Sequence, residues 1–273
     1  MPRAKGTTGT SQSLERGLAI LSSFHANRSL IGVSELSRGL DLSRSTAHRY
    51  VTTLAKLGYL QQDPESKRYR LGPKELDLGF SALNSMDLLE ISAPYLRQLS
   101  DETQHTVNLA ILDGTEVVYI ERCRTTRPGQ QEIDLNLHVG ARLPAYCTAM
   151  GKAILAFLPE ESAEKIIEQI DFAPRGPNTI TDAKAFRKEL GKIRSSGIAV
   201  NNEELAYGLR SIAAPIHSYS GEVLAALNLA IHRTMGTMDE LIARFGPAVT
   251  EAAQDISRSM GHRVAATDGH ARP

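Results

Sequence analysis

Apolar residues recur every three or four positions through Leu14, Leu18, Ile20, Leu21 and Phe24, which predicts an amphipathic helix following a polar stretch that ends near Gln12. A second short helix is expected from Val33 to Leu40. A third should run from Ser43, whose hydroxyl can cap the free amides of the first turn, to Leu57, with Gly58 behind it to end the helix. Tyr59 to Gln61 and Tyr69 to Leu71, separated by the turn-rich Asp63 to Lys67, read as a small hairpin. The order helix, helix, helix, hairpin is that of a winged helix-turn-helix.

From Pro73 to Asp101 the period stays mostly helical, through Leu76, Phe80, Leu83, Leu88, Leu89 and Ile91, with Pro94 expected to interrupt or restart the helix. Beyond it the period changes to two. Thr106 to Leu112 and Glu116 to Glu121 flank Asp113-Gly114, a hairpin signal, and Leu209 to His217 and Glu222 to His232 bracket Ser218 to Gly221. Helices are expected near 148–158, 160–170, 182–196 and 237–260. The last opens with a Thr237/Glu240 capping box and should be kinked or split at Gly246-Pro247. Strands and helices in this order predict an α+β domain with an antiparallel sheet. The expected organisation is a disordered tail at 1–12, a winged helix-turn-helix at 13–72, linker helices at 73–103, an α+β domain at 104–261 and a flexible tail at 262–273.

With 273 residues the chain is long enough for two domains. No apolar run approaches the roughly 18 residues that span a bilayer, and the first residues lack the apolar core of a leader, so no membrane partner and a cytoplasmic location are expected. Two cysteines, Cys123 and Cys147, make no disulfide framework, and no spacing of His and Cys suggests zinc. Neither a metal nor any other cofactor is expected.

The 31 Lys and Arg balance 31 Asp and Glu, which argues against a nucleic-acid partner until the charge is divided along the chain. Residues 1–80 hold 12 basic and 7 acidic side chains and residues 81–273 hold 19 and 24, so a module of +5 is offset by a remainder of −5. Neutrality here is a sum of opposites.

The third helix sharpens this. At 100° per residue Arg44, Ser45, His48, Arg49 and Thr52 fall within about 140° of one another, opposite Ala47, Tyr50, Val51, Leu54 and Leu57. One face is core; the other holds donors and no acid. Arg pairs bidentately with guanine edges, the hydroxyls and His reach bases or phosphates, and an α-helix fits the major groove. The candidate contacts to double-stranded operator DNA are Ser43, Arg44, Ser45, Thr46, His48 and Arg49, with Lys67 and Arg68 at the hairpin tip. Thr46 lies at the edge of the buried side.

The segments SLERGLAILSSF, VSELSRGLDLSRSTAHRYVTTLAKLGYL and YRLGPKELDLG resemble the DNA-binding module of the IclR family of bacterial transcription regulators. TVNLAILDGTEVVYIER, GARLPAYCTAMGKAILA, NNEELAYGLRSIAAPI and VLAALNLAI resemble, in order, the effector-binding domain of that family, so the resemblance covers about residues 13 to 260. It implies a GAF-like fold for the second domain, a linker helix that transmits effector state and contributes dimer contacts, and a homodimer or a dimer of dimers on a pseudo-palindromic operator. Within the family, RLPAYCTAMGKAILA resembles regulators of protocatechuate and 4-hydroxybenzoate catabolism in the β-ketoadipate pathway.

Residue by residue, the resemblance places ligand contacts at Leu135, Ala149, Met150, Asn201, Leu209, Ser211, Asn228 and Ala230. The residues themselves give partial support. Strict alternation sets Asn228 in the middle of the stripe Leu224, Ala226, Ala230 and His232, where a buried amide needs partners, either a loop of the protein or a ligand. Ser211, between Leu209 and Ala213, carries the same two readings. A helix starting near Thr148 points the amides of Ala149, Met150 and Gly151 at whatever precedes it, a favourable place for the carboxylate of a small effector. Family members that sense glyoxylate and pyruvate have an acid, a thiol and a hydroxyl where Asn201, Ser211 and Asn228 stand, which speaks against a two- or three-carbon keto acid and leaves room for an aromatic or dicarboxylic acid. His138, Arg142 and Tyr146 lie near the same helix start, with a surface Arg and a packed Tyr as their plainer reading. Two other classes remain: an enzyme with Cys147 as nucleophile and His138 or His217 as base, and a DNA-binding protein that answers to no ligand.

Overall fold

The computed structural model describes residues 11–24, 29–78, 87–124 and 137–262, and the chain divides into two compact units, Met1–Ser85 and Met86–Pro273. In the first, α1 (Gln12–Ser22), α2 (Val33–Gly39) and α3 (Arg44–Lys56) precede the two-stranded antiparallel ladder of β1 (Leu60–Gln62) and β2 (Tyr69–Leu71). Ile31 exchanges both backbone hydrogen bonds with Tyr69 at 2.9 Å, which ties the chain before α2 to the wing. Ile20, Phe24, Ile31, Leu36, Val51, Leu60 and Tyr69 form the core. Two apolar residues of the expected α1 stripe, Leu14 and Leu18, are instead exposed. At 100° per residue they lie in a stripe beside Ile20 and Phe24, and only the latter stripe faces this core. Leu57, placed on the buried side of α3 by its period, caps the helix and is also exposed.

The second unit is built on a six-stranded, wholly antiparallel sheet in the order β5-β4-β3-β8-β7-β6. Its strands are β3 (Thr106–Asp113), β4 (Glu116–Cys123), β5 (Arg142–Pro144), β6 (Ala199–Asn202), β7 (Leu209–His217) and β8 (Val223–His232). Of these, the short β5 and β6 are too brief to show a period. On one face α4 (Asp87–Thr103) and α8 (Met238–Ser259) pack together, α8 along β7 and α4 over β3 and β4. On the other, α5 (Ala149–Phe157) lies over β6, β7 and β8, with α7 (Ala183–Ser196) packed against it and the short α6 (Glu160–Ile167) between them in sequence. Alternation assigns the faces: Ala214 meets the α8 side, while Ala110, Ala199, Ala213 and Ala226 join the core of α5.

Two expected breaks at proline are corrected. α4 runs unbroken through Pro94, and α8 is not split at Gly246-Pro247. Each proline removes one hydrogen bond, to the carbonyl four residues back, at Glu90 or Ala243. Both prolines and both of those residues are exposed, so the freed carbonyls are on the solvent side. The apolar residues on the other side, Leu96 and Leu99 in α4 and Phe245 and Val249 in α8, bury continuously against the sheet and hold the helices whole. The Thr237/Glu240 capping box forms as expected. Phe80 and Leu83 of the expected linker lie outside the described residues.

Candidate functional sites

In the first unit Ser43 is the N-cap of α3. Its hydroxyl accepts the Thr46 amide at 3.1 Å, donates to the Thr46 hydroxyl at 2.8 Å and lies 3.0 Å from that of Ser45. The cap holds the first turn of the helix in one conformation. Ser43, Arg44, Ser45, His48 and Arg49 are exposed, Thr46 is half-buried, and Ala47 and Val51 are fully buried, so the face predicted to carry donors is the one left open. The Arg49 guanidinium lies 6.0 Å from the Tyr50 ring centroid.

At the wing the structure separates the two cations. Lys67 sits at the tip with φ 57, exposed. Arg68 instead makes a two-pronged hydrogen bond with Glu35 of α2, at 2.7 and 2.9 Å, and Glu35 also caps the Gly32 amide at 2.8 Å. A guanidinium held by a carboxylate inside its own module is an intramolecular tie, and the Arg68 side chain keeps 42% of its surface exposed while making it.

In the second unit the strand registers bring the polar residues of the sheet together. Asn108 of β3 is paired with Asn228 of β8, Ala230 of β8 with Ser211 of β7, and Ser211 with Asn201 of β6. By alternation all lie on the face that carries Ala110, Ala226, Ala213 and Ala199, beneath α5. Asn108, Asn201, Ser211 and Asn228 are each at most 5% exposed, whereas Leu209 and Ala230 are half-buried at the rim. This polar row on an otherwise apolar surface is the candidate ligand site. Asn228 finds a protein partner that its own strand could not reveal: the Asn108 amide nitrogen donates to its oxygen at 2.8 Å. Asn108 was not singled out from the sequence, although it opens the same run, Asn-Leu-Ala-Ile, that Asn228 opens. Leu135 lies outside the described residues.

The start of α5 is reached through β5 and a 3-10 turn at Ala145–Cys147, with Thr148 as N-cap. The Thr148 hydroxyl accepts the Gly151 amide at 3.2 Å, so Gly151 is not one of the free donors expected there. Ala149 and Met150, both fully buried, keep the first amides of the helix. Gly151 serves by lacking a side chain, since a Cβ there would lie 2.3 Å from the Ala145 carbonyl oxygen.

One turn on, Lys152 is fully buried and its ammonium donates to Glu204 Oε1 at 2.5 Å. The Glu204 amide in turn donates to Asn201 Oδ1 at 2.9 Å, which joins the ion pair to the polar row. Burial pushes the Glu204 carboxyl above its usual range, with Lys152 pulling the other way. Glu204 Oε2 is buried with no partner. Neither residue stood out in the sequence, because a buried Lys in AMGKAILA has no period-based mark that distinguishes it from an exposed one.

The remaining polar groups near the helix start are engaged elsewhere. The Tyr146 hydroxyl donates to the Ala173 carbonyl at 2.5 Å, and Arg142 pairs on the surface with Asp113 and with Glu116. Cys147 is fully buried and its thiol is pushed up to about 12, by desolvation first and by the Glu204 carboxylate second, which is the opposite of what a nucleophile needs. His217 stacks on His262 with centroids 5.3 Å apart and shares its Nδ1 with the Gly221 carbonyl. Among the described residues no group of three or more His, Cys, Asp or Glu is placed to hold a metal, and no helix is long and apolar enough to cross a membrane.

Two family models match the chain: the IclR helix-turn-helix domain over residues 13–64 and the bacterial transcriptional regulator IclR C-terminal domain over residues 80–258. The Pca regulon regulatory protein of Pseudomonas putida is 36% identical over 248 residues, 91% of this chain and 84% of that protein. Among solved structures, the Thermotoga maritima IclR is 31% identical with a TM-score of 0.71, covering 92% of this chain and 99% of that one. An IclR homolog from Microbacterium hydrocarbonoxydans, complexed with 4-hydroxybenzoate, is 25% identical with a TM-score of 0.77 over 91% and 99% of the two chains. These relatives are transcription regulators rather than enzymes, in keeping with a Cys147 thiol that stays protonated. A helix-turn-helix module with an acid-free open face and a mixed helix and antiparallel-sheet effector domain, each matched by its own model, show that this chain belongs to the IclR family of DNA-binding transcriptional regulators.

Proposed function

We propose that this regulator acts in the cytoplasm as a homodimer, alone or as a dimer of dimers, on a pseudo-palindromic operator, and that a small carboxylate bound under α5 alters its affinity for that operator. The effector is an aromatic acid or an intermediate of the β-ketoadipate pathway. The observation that carries the effector reading is the row Asn228, Ser211 and Asn201 on the apolar sheet face beneath the helix start at Ala149 and Met150. Leu209 and Ala230 form its rim, and the expected contact Leu135 completes the set. Support for the chemical class comes from the name of the Pca regulon relative and from the 4-hydroxybenzoate complex of the Microbacterium protein. Nothing long-range draws an anion to a unit with excess acid, so the attraction must be local, from helix amides and side-chain donors.

On the DNA side, Arg44 and Arg49 supply base or phosphate contacts, with Ser43, Ser45, Thr46 and His48 around them and Lys67 on the flanking phosphates. Two such helices related by a dimer two-fold read an inverted repeat. The ligand acts by binding one arrangement of the regulator better than another, since equal affinity for both shifts nothing.

The reading is tested by selecting binding duplexes from a random library and measuring fluorescence anisotropy on the product. An inverted repeat is expected. Arg49→Ala should weaken binding by about 5- to 150-fold, corresponding to about 1–3 kcal/mol for a lost bidentate base contact, while Lys67→Ala should weaken all sequences alike and lower the salt slope by about one. Wild-type affinity in Arg49→Ala would show the face to be misassigned. On the effector side, a thermal-shift panel of protocatechuate, 4-hydroxybenzoate, β-ketoadipate, glyoxylate and pyruvate should raise the melting temperature for the first three. A flat panel refutes the carboxylate assignment and leaves the DNA face standing.

A further inference from the structure

We propose that the effector unit has a ligand site distinct from the polar row, at the other end of β7, which takes an uncharged molecule of one ring carrying a hydrogen-bond donor. This site is independent of any carboxylate bound under α5.

A cavity forms there because the edge strand stops short. β6 begins at Ala199, opposite Ala213, so among the described residues β7 has no strand partner on that side from Ala214 to His217. The gap has a volume of about 190 Å³ and is bounded by Phe157 at the end of α5, by Gly197 behind α7 and by the C-terminal half of α8. Along β7, Ala214 and His217 stand three and six positions from Ser211, on the order of 10 and 20 Å at about 3.4 Å per residue.

The wall fixes the class of ligand. Phe157, Ala214, Pro215 and Ala253 supply apolar surface, and an apolar cavity of about 150 Å³ is enough for one benzene ring. Among the described residues no Lys, Arg, Asp or Glu lines the gap, so a carboxylate or an ammonium would enter it without a counter-charge. Ser257 is already spent, since its hydroxyl donates to the Ala253 carbonyl at 2.7 Å and accepts the His217 amide at 3.0 Å. The Thr250 hydroxyl oxygen is buried within the wall, and Gln254 is exposed to water.

What remains is a pair of imidazoles. His217 meets Phe157 edge-on with centroids 5.4 Å apart and stacks on His262 at 5.3 Å, so the three rings form one aromatic side of the cavity. His217 Nδ1 lies 3.2 Å from the Gly221 carbonyl and His262 Nδ1 3.0 Å from the Ser218 carbonyl. A carbonyl only accepts, so each Nδ1 carries the hydrogen, and in a neutral ring Nε2 is then a bare acceptor turned away from the β7–β8 turn. Among the described residues neither Nε2 has a protein partner. Burial first and His262 second lower the His217 pKa, against the pull of the Gly221 carbonyl, which keeps that ring neutral at pH 8. A few acceptors on an otherwise apolar wall select a ring that brings its own donor.

Titration calorimetry on the full chain at pH 8 compares phenol with anisole, which keeps the ring and the oxygen but has no donor. Phenol is expected to bind at least about tenfold more tightly. Replacing both imidazoles, His217→Phe with His262→Phe, keeps the stacked rings and removes the acceptors, and should bring phenol to within about threefold of anisole. In crystals soaked with 4-bromophenol the anomalous bromine peak should lie between Phe157 and Ala253. No heat with phenol, or equal affinity for phenol and anisole, overturns the inference. Phenol binding unchanged in the double variant, or a bromine peak found only beneath α5, overturns it too and assigns the phenol to the polar row instead. The wild-type comparison and the soak do not depend on any variant folding.

Discussion

The buried ion pair between Lys152 and Glu204 offers the sharpest test of how the effector unit is held together. Lys152 has 0% and Glu204 7% of its side chain exposed, so neither charge has water to fall back on. Lys152→Met removes the ammonium and strands a carboxylate whose Oε2 already lacks a partner. Breaking one side of a buried pair costs about 3–5 kcal/mol. In a unit of this size each kcal/mol moves the melting temperature by about 2–4 °C, which gives a loss of about 6–20 °C.

The loss should depend on pH in a definite direction. The Glu204 carboxyl is raised by burial and lowered by Lys152, so removing Lys152 raises it further. A group whose folded pKa lies above its unfolded value contributes most at low pH and loses that contribution as pH rises through the folded value. The Lys152→Met defect is therefore smaller at pH 5 than at pH 8. Replacing both residues, Lys152→Met with Glu204→Leu, removes the stranded charge along with its partner and should return stability to within about 1 kcal/mol of wild type or above it. Circular dichroism melts of wild type, both single variants and the double variant at the two pH values complete the cycle. A Lys152→Met protein as stable as wild type at pH 8, or a double variant as unstable as the single, would refute the reasoning.

Three further predictions use the same measurements. Gly151→Ala should destabilise the effector unit by about 3 kcal/mol or more, as overpacking against backbone, because its Cβ would meet the Ala145 carbonyl oxygen at 2.3 Å; a melt unchanged from wild type would contradict the close approach of the 3-10 turn to α5. Cys147, with its thiol pushed up to about 12, should react with a disulfide reagent at pH 8 far more slowly in the folded than in the unfolded chain, and Cys147→Ser should keep its ligand response; rapid native labelling at Cys147 would sink this. His217 has its pKa lowered, first by burial and further by the stacked His262, against the pull of the Gly221 carbonyl. A depressed folded pKa means stability present above the ordinary value of 6.5 and lost as pH falls below it, so the wild-type melting temperature should drop from pH 7 to pH 5 more steeply than that of His217→Gln.

Several elements were readable because local rules and tertiary packing agree. The third helix announced its cap at Ser43, its stop at Gly58 and its two faces, and the structure buries Ala47 and Val51 while leaving Arg44, His48 and Arg49 open. The long strands showed their alternation, and Asn228 stood out because one amide interrupts an apolar stripe. The same rules failed where the answer depended on an element far away in sequence. Pro94 and Pro247 read as breaks because a proline costs a hydrogen bond locally; whether the helix continues is decided by burial on its other side and by where the lost carbonyl points.

The sequence by itself therefore determined the division into a basic module and an acidic one, the open, acid-free face of α3 and the membership of this chain in the IclR family. These rest on periodicity, charge and motif order, all properties of nearby residues. Only the tertiary structure decided that Asn108 faces Asn228 across 120 positions, that Arg68 is held by Glu35, and that Lys152 meets Glu204 at the Asn201 end of the polar row. Hydrogen bonds and ion pairs between distant segments have no signature within either segment, since their partners are chosen by strand register and by what burial leaves unsatisfied.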